Sequence, residues 1–122
     1  MRVPTGVRLE DWIRQLYREG RIYRFYKSDE WLRLRERVLR EQHGECERCR
    51  DRGAYTPAKL VHHVNEVRDR PDLALSMWYT DGDGQRRRNL LALCHDCHEV
   101  EHGRAYRGRR AEEAPQLNEE RW

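Results

Sequence analysis

The chain has no apolar stretch approaching the roughly 20 residues that cross a bilayer. It has no apolar run behind Met1-Arg2-Val3-Pro4-Thr5-Gly6 such as a secretory leader requires, and no cysteine outside two Cys-x-x-Cys pairs. These absences point to a soluble intracellular protein, cytoplasmic and without a membrane partner, whose thiols stay reduced. Hydrophobic residues are scarce as well, at 37% against a globular norm of about 45–50%, whereas charged residues reach 39% against about 25%. In a single domain of 122 residues so thin a core is marginal on burial alone. Bound metal is therefore expected to contribute folding free energy directly. Lysine is nearly missing too: Lys27 and Lys59 stand against a large excess of arginine, and the net charge is +3. Arginine suits phosphate because its planar fork binds two oxygens at once.

What is present is concentrated in a few positions. Cys46/Cys49 and Cys94/Cys97 bracket the tandem His62-His63, and the second pair runs into His98 and His102. A thioredoxin-type redox role fails because no βαβ pattern surrounds either pair, so the paired thiols lean to metal. Four thiolates satisfy one Zn²⁺ in a closed structural site and leave the histidines for a second ion, whose open positions permit chemistry. On a helix His98 and His102 project from one face a turn apart, while Cys97 lies about 100° around from His98. One helix can thus serve two metals. Glu101 and His95 are alternatives to His102 as a ligand, and His43 reads as surface.

Leu9, Trp12, Ile13, Leu16 and Tyr17 form one apolar helical stripe that Gly20 can stop. Ser28 followed by Asp29 and Glu30 reads as a helix start, and Trp31, Leu34, Val38 and Leu39 carry that helix towards Gly44. These aromatics are most simply core. A turn near Gly53, a strand over Lys59–Val64 and a short helical piece from Pro71 through Leu75 follow. Asp81-Gly82-Asp83-Gly84 predicts the tip of a hairpin or loop. It is not a calcium loop, because Gln85 and Ala92 fall where later acidic ligands belong. The tail from Tyr106 is charged and weakly periodic, with the composition of a partly disordered segment.

The arginines have a distribution. Arg2, Arg8, Arg14, Arg18, Arg21, Arg24 and Lys27 outweigh Glu10, Asp11 and Glu19 near the start, and Arg86-Arg87-Arg88 abuts Asn89. A solvated charged surface explains most of these individually. The run at Arg86, Arg87 and Arg88 beside a candidate metal centre favours nucleic acid.

Val61-His62-His63-Val64, Asn89 and Cys94-His95-Asp96-Cys97-His98 together resemble the HNH endonucleases. The likeness is closest to the phage and prophage group carrying two zinc knuckles. Phe25-Tyr26-Lys27-Ser28 with Trp31, Arg70-Pro71-Asp72-Leu73-Ala74-Leu75 and Asn89-Leu90-Leu91-Ala92-Leu93-Cys94 also match it. The resemblance implies a small α+β fold: a ββα-metal core stabilised by a four-cysteine structural zinc site (Cys46, Cys49, Cys94, Cys97), with N-terminal helices. It covers residues 25–104, leaving a basic amphipathic arm over 1–24 and a tail over 105–122. By resemblance His63 is the general base, Asn89 pins the loop that holds it, and His62, His98 and His102 hold one divalent ion (Mg²⁺, Mn²⁺, Ni²⁺ or Zn²⁺). Also implied are DNA as substrate, 5′-phosphate and 3′-hydroxyl products, no nucleotide cofactor, and work beside a phage terminase large subunit in the host cytoplasm. Arg86, Arg87 and Arg88, with Arg68 or Arg70, would hold flanking phosphates without reading sequence.

Two features depart from that pattern. Met77 through Arg88 is a long insertion before Asn89. Adjacent strand residues also face opposite sides, so His62 and His63 can serve one site only where the strand ends or distorts. Two other functions fit the same residues. A non-catalytic zinc module that binds DNA would have no use for His63, and a zinc-stabilised protein-interaction domain would need neither the arginine run nor the histidines.

Overall fold

The apolar stripe at Leu9–Tyr17 folds as expected. In the computed structural model, which describes residues 1–105 and side chains through Glu101, helix α1 spans Leu9–Glu19 and buries Ile13 and Leu16. Gly20 ends it at φ 69°, where the Gly20 and Arg21 amides donate to the Tyr17 and Leu16 carbonyls. Burying each of those two side chains contributes about 1.5–3 kcal/mol. A short helix α2 (Tyr23–Tyr26) follows. The Ser28 hydroxyl then accepts from the Trp31 amide at 3.2 Å and opens α3, Asp29–Glu41. The boundary expected after residue 24 falls within α2, and Ile13 and Leu16 share one core with Phe25, Tyr26, Trp31 and Val38.

Helix α4 (Glu47–Asp51) starts after Cys46, its N-cap, and carries Cys49, so the first Cys-x-x-Cys pair spans its start. Strand β1 is Leu60–His63, one residue shorter at each end than the sequence suggests. It pairs antiparallel with β4, Leu90–Leu93, in the register Leu60 with Leu93, Val61 with Ala92, His62 with Leu91 and His63 with Leu90. Between them lie a 3₁₀ turn at Pro71–Leu73, shorter than the piece expected through Leu75, and a hairpin of β2 (Trp78–Thr80) with β3 (Arg86–Arg88). Asp81 closes that hairpin by accepting from the amides of Asp83 and Gln85, both at 2.9 Å. Helix α5 spans His95–Ala105. The tail expected to be partly disordered lies outside the described residues.

The β1–β4 pair is buried on both faces. Val61 and Leu90 face the aromatic core beneath α1–α3, whereas Leu60, Leu91 and Leu93 face the four cysteines. Gln42, at the end of α3, closes the free edge of β4. Its amide donates to the Leu90 carbonyl at 3.0 Å and its oxygen accepts from the Ala92 amide at 2.8 Å, as a neighbouring strand would. Among the described residues, no helix is long and apolar enough to cross a membrane.

Candidate functional site

The first Cys-x-x-Cys pair sits at the start of α4 and the second at the start of α5. All four cysteines are buried, their ligand atoms within 4.8 Å of one another. The Cys49 sulfur lies 3.9 Å from that of Cys94 and 3.7 Å from that of Cys97. A tetrahedral ion with metal–sulfur distances near 2.3 Å has sulfur–sulfur edges of about 3.8 Å, so the cage fits such an ion. The thiols also differ electrically. A hydrogen bond from the Thr56 side chain, aided by neighbouring thiols, draws Cys49 down to about 7. Burial pushes Cys94 up and Cys97 up to about 12. Four thiolates in this space need a cation. Arg52 supplies part of the balance, donating to the Cys49 and Cys97 sulfurs at 3.4 Å each.

The next residue along α5 turns elsewhere. His98 is fully buried, and its ring meets that of His62 edge-on with centroids 5.3 Å apart. Two imidazoles from a strand and a helix thus approach one another on the cysteine-bearing side of the β1–β4 pair. The donor set suits a divalent transition ion. His102 lies on the same helix, its side chain outside the described residues. The other candidates are engaged away from this pair: Glu101 accepts from Arg48 at 2.9 Å, and exposed His95 lies 3.6 Å from Glu99. His43 is exposed, in a left-handed turn at φ 59°.

His63 occupies the opposite face, as strand alternation requires, at the last residue of β1. Its ring stacks on Trp31 at 4.7 Å and is only 1% exposed. Nε2 lies 2.9 Å from the Ala74 carbonyl oxygen. That oxygen can only accept, so Nε2 carries the proton and Nδ1 of the neutral ring is the basic atom.

Asn89 determines where Ala74 stands. Its amide nitrogen donates to the carbonyls of Leu73 and Ser76 at 3.0 and 2.9 Å, on either side of Ala74. Its oxygen accepts from the Asn65 main chain and side chain at 3.1 and 2.9 Å. The Asn89 main-chain amide also donates to Met77 at 2.8 Å, which brings the two ends of the Met77–Arg88 insertion together. The insertion is therefore a hairpin standing off the core, and its length does not displace Asn89.

Within that hairpin the three arginines differ. Arg87 pairs with Asp81, holding that carboxyl below its usual range with help from the Gln85 and Asp83 amides. Arg86 and Arg88 lie over the Trp78 ring, 4.4 and 4.8 Å from its centroid. Sequence reasoning missed the Ala74 carbonyl, the Gln42 clamp and the Trp31–His63 stack. The first is a main-chain atom and leaves no signal in residue identity. Gln42 resembles any polar residue at a helix end, and Trp31 obeys the spacing of ordinary core.

Two antiparallel strands, a following helix and a four-cysteine metal site define a small α+β protein with a ββα-metal core. Its structural relatives include the HNH endonuclease of the deep-sea thermophilic bacteriophage GVE2, whose crystal structure contains a manganese ion. The similarity has 27% identity and a TM-score of 0.61, covering 81% of this chain and 91% of that one. No family model and no curated protein matches the sequence.

Proposed function

We propose that this protein is a metal-dependent endonuclease that hydrolyses phosphodiester bonds of DNA. The observation that carries this reading is the contact path from Asn89, through the Leu73 and Ser76 carbonyls, to the Ala74 carbonyl that fixes His63 in one tautomer. In this mechanism Nδ1 of His63 takes the proton of the attacking water as its oxygen bonds phosphorus and the P–O3′ bond breaks, and the departing 3′ oxygen takes a proton from solvent. Asn89 is a positioning residue that keeps the ring from turning. His62, His98 and His102 would hold the catalytic ion, which would supply charge neutralisation to the phosphodiester during cleavage. The four cysteines hold zinc as a structural ion. Arg86 and Arg88 hold flanking phosphates. Placement beside a phage terminase large subunit, in the host cytoplasm, rests on resemblance alone.

The burial of His63 favours a second reading, a non-catalytic zinc module in which this histidine is core. His63→Gln separates the two. Glutamine retains a donor for Ala74 and much of the volume but has no basic nitrogen. The measurement is single-turnover cleavage of plasmid DNA with Mg²⁺, Mn²⁺, Ni²⁺ or Zn²⁺, with a chelator control and matched melting temperatures. The expected loss of rate is on the order of 10²–10⁴ with binding retained. Equal rates in parent and variant would remove His63 as the base, and no metal-dependent cleavage by the parent would leave the second reading.

A further inference from the structure

The outer side of α1 has a chemistry that the ββα core does not explain. Arg14 and Arg18 stand one helical turn apart on it. Between them Tyr17 packs its ring against the core, and the Arg68 guanidinium lies over that ring at 4.8 Å. Arg14, Tyr17, Arg18 and Arg68 line an open cleft of about 450 Å³ with no acidic side chain in its wall. The nearby carboxylates are otherwise occupied. Asp72 accepts two hydrogen bonds from Arg70, at 3.1 and 2.9 Å, and Asp11 lies 3.5 Å from Arg14. Among the described residues no carboxylate pairs with Arg18 or Arg68. A guanidinium held over a ring uses its face and keeps its in-plane N–H donors for an anion.

We propose that this cleft binds a backbone phosphate of duplex DNA, so that α1 extends the DNA-binding surface beyond the ββα core; that this duplex is the one being cut rests on the proposed nuclease function. Arg68 follows His63 by five residues, a span of at most about 18 Å for extended chain, or about five base steps at 3.4 Å each. It lies between Asn65, bonded to Asn89, and the 3₁₀ turn whose Leu73 carbonyl Asn89 also holds. The segment that carries Arg68 is therefore flanked at both ends by groups that Asn89 holds. Tyr17 is covered by Arg68 and offers no open ring for an unstacked base, which favours duplex phosphate over single strands.

The test is the salt dependence of duplex binding by the full, zinc-loaded chain, followed by fluorescence anisotropy without added catalytic ion. Parent, Arg18→Ala/Arg68→Ala and Arg18→Lys/Arg68→Lys are compared. Two lost phosphate contacts flatten the slope of log K against log salt by about 1.8, and lysine restores it as a point charge. An alanine variant with the parent's slope overturns the proposal. So does a lysine variant that behaves like alanine, since the arginines would then act only through packing, and so does a parent that does not bind duplex. Cleavage by the parent is scored separately. A parent that cuts while the alanine variant keeps its slope removes the cleft alone, whereas slope loss in a protein that never cuts removes the nuclease reading alone.

Discussion

The two faces of the β1–β4 pair are closed by different means. One is covered by α1–α3 through Ile13, Leu16, Phe25, Tyr26, Trp31 and Val38, an ordinary apolar core. The other has Leu60, Leu91, Leu93 and little else that is apolar, and the four cysteines complete it. A chain with 37% hydrophobic residues has apolar side chains for one face, so a ligand cage closes the second. The tandem histidines divide along the same line, His63 against Trp31 and His62 against His98. Adjacent residues thus meet different surroundings, one rigid and aromatic, the other suited to an ion.

The largest expected effect breaks the cysteine face. Cys49→Ser removes one ligand from a cage whose metal, in small zinc domains, contributes about 10–16 kcal/mol of apparent binding energy. That rivals the whole stability of a typical domain, about 5–15 kcal/mol. The variant should lose its bound metal by elemental analysis and its cooperative thermal transition by circular dichroism, the helical signal of α1–α3 included. A cooperative, native-like melt of zinc-free Cys49→Ser would mean that the aromatic face is stable alone.

A smaller effect tests the tie between the faces. Asn89→Ala leaves the Leu73 and Ser76 carbonyls and the Asn65 amide without their partner. These groups are half-buried, so solvent offsets part of the about 1–3 kcal/mol that each would cost in full burial, and a loss of about 2 kcal/mol is expected in denaturant unfolding. Bound metal should stay at the parent level, because the cage does not depend on Asn89. A loss well under 1 kcal/mol would show that solvent replaces the amide and that the loop is not pinned.

Local rules made much of this legible. The α1 stripe with Gly20, the Ser28 cap and the Asp81–Gly84 tip each depend on neighbours in sequence, and each stands where its residues indicate. The cysteine cage was readable because thiol spacing and metal chemistry admit few alternatives. Strand alternation gives the reason His62 and His63 face apart, a tension with the single site that the resemblance assigns to both. The hairpin strands were not legible: Trp78–Thr80 is three residues long, and three consecutive arginines give β3 no alternating pattern. Nor could composition show that Arg87 differs from its neighbours, since cross-strand register and the Asp81 turn decide that.

The smallest effect lies outside both faces, on that hairpin. Arg86 and Arg88 stack over Trp78, whereas Arg87 is tied to Asp81. The Asp81 carboxyl is depressed below its ordinary value of 3.8, so its contribution is present above that pH and fades only as pH falls through the lower folded value. At neutral pH Arg87 is therefore held, and two of the three arginines remain for phosphate. Arg86→Ala/Arg88→Ala should flatten the salt slope of duplex binding by about 1.8. Adding Arg87→Ala should change it little further. A triple variant flattened by about 2.7 instead would mean that Arg87 leaves Asp81 when DNA binds. An unchanged slope in both variants would assign the whole run to surface charge. Cleavage at saturating DNA should persist in the double variant, because the side chains of Arg86 and Arg88 pack on Trp78 and not on the histidines.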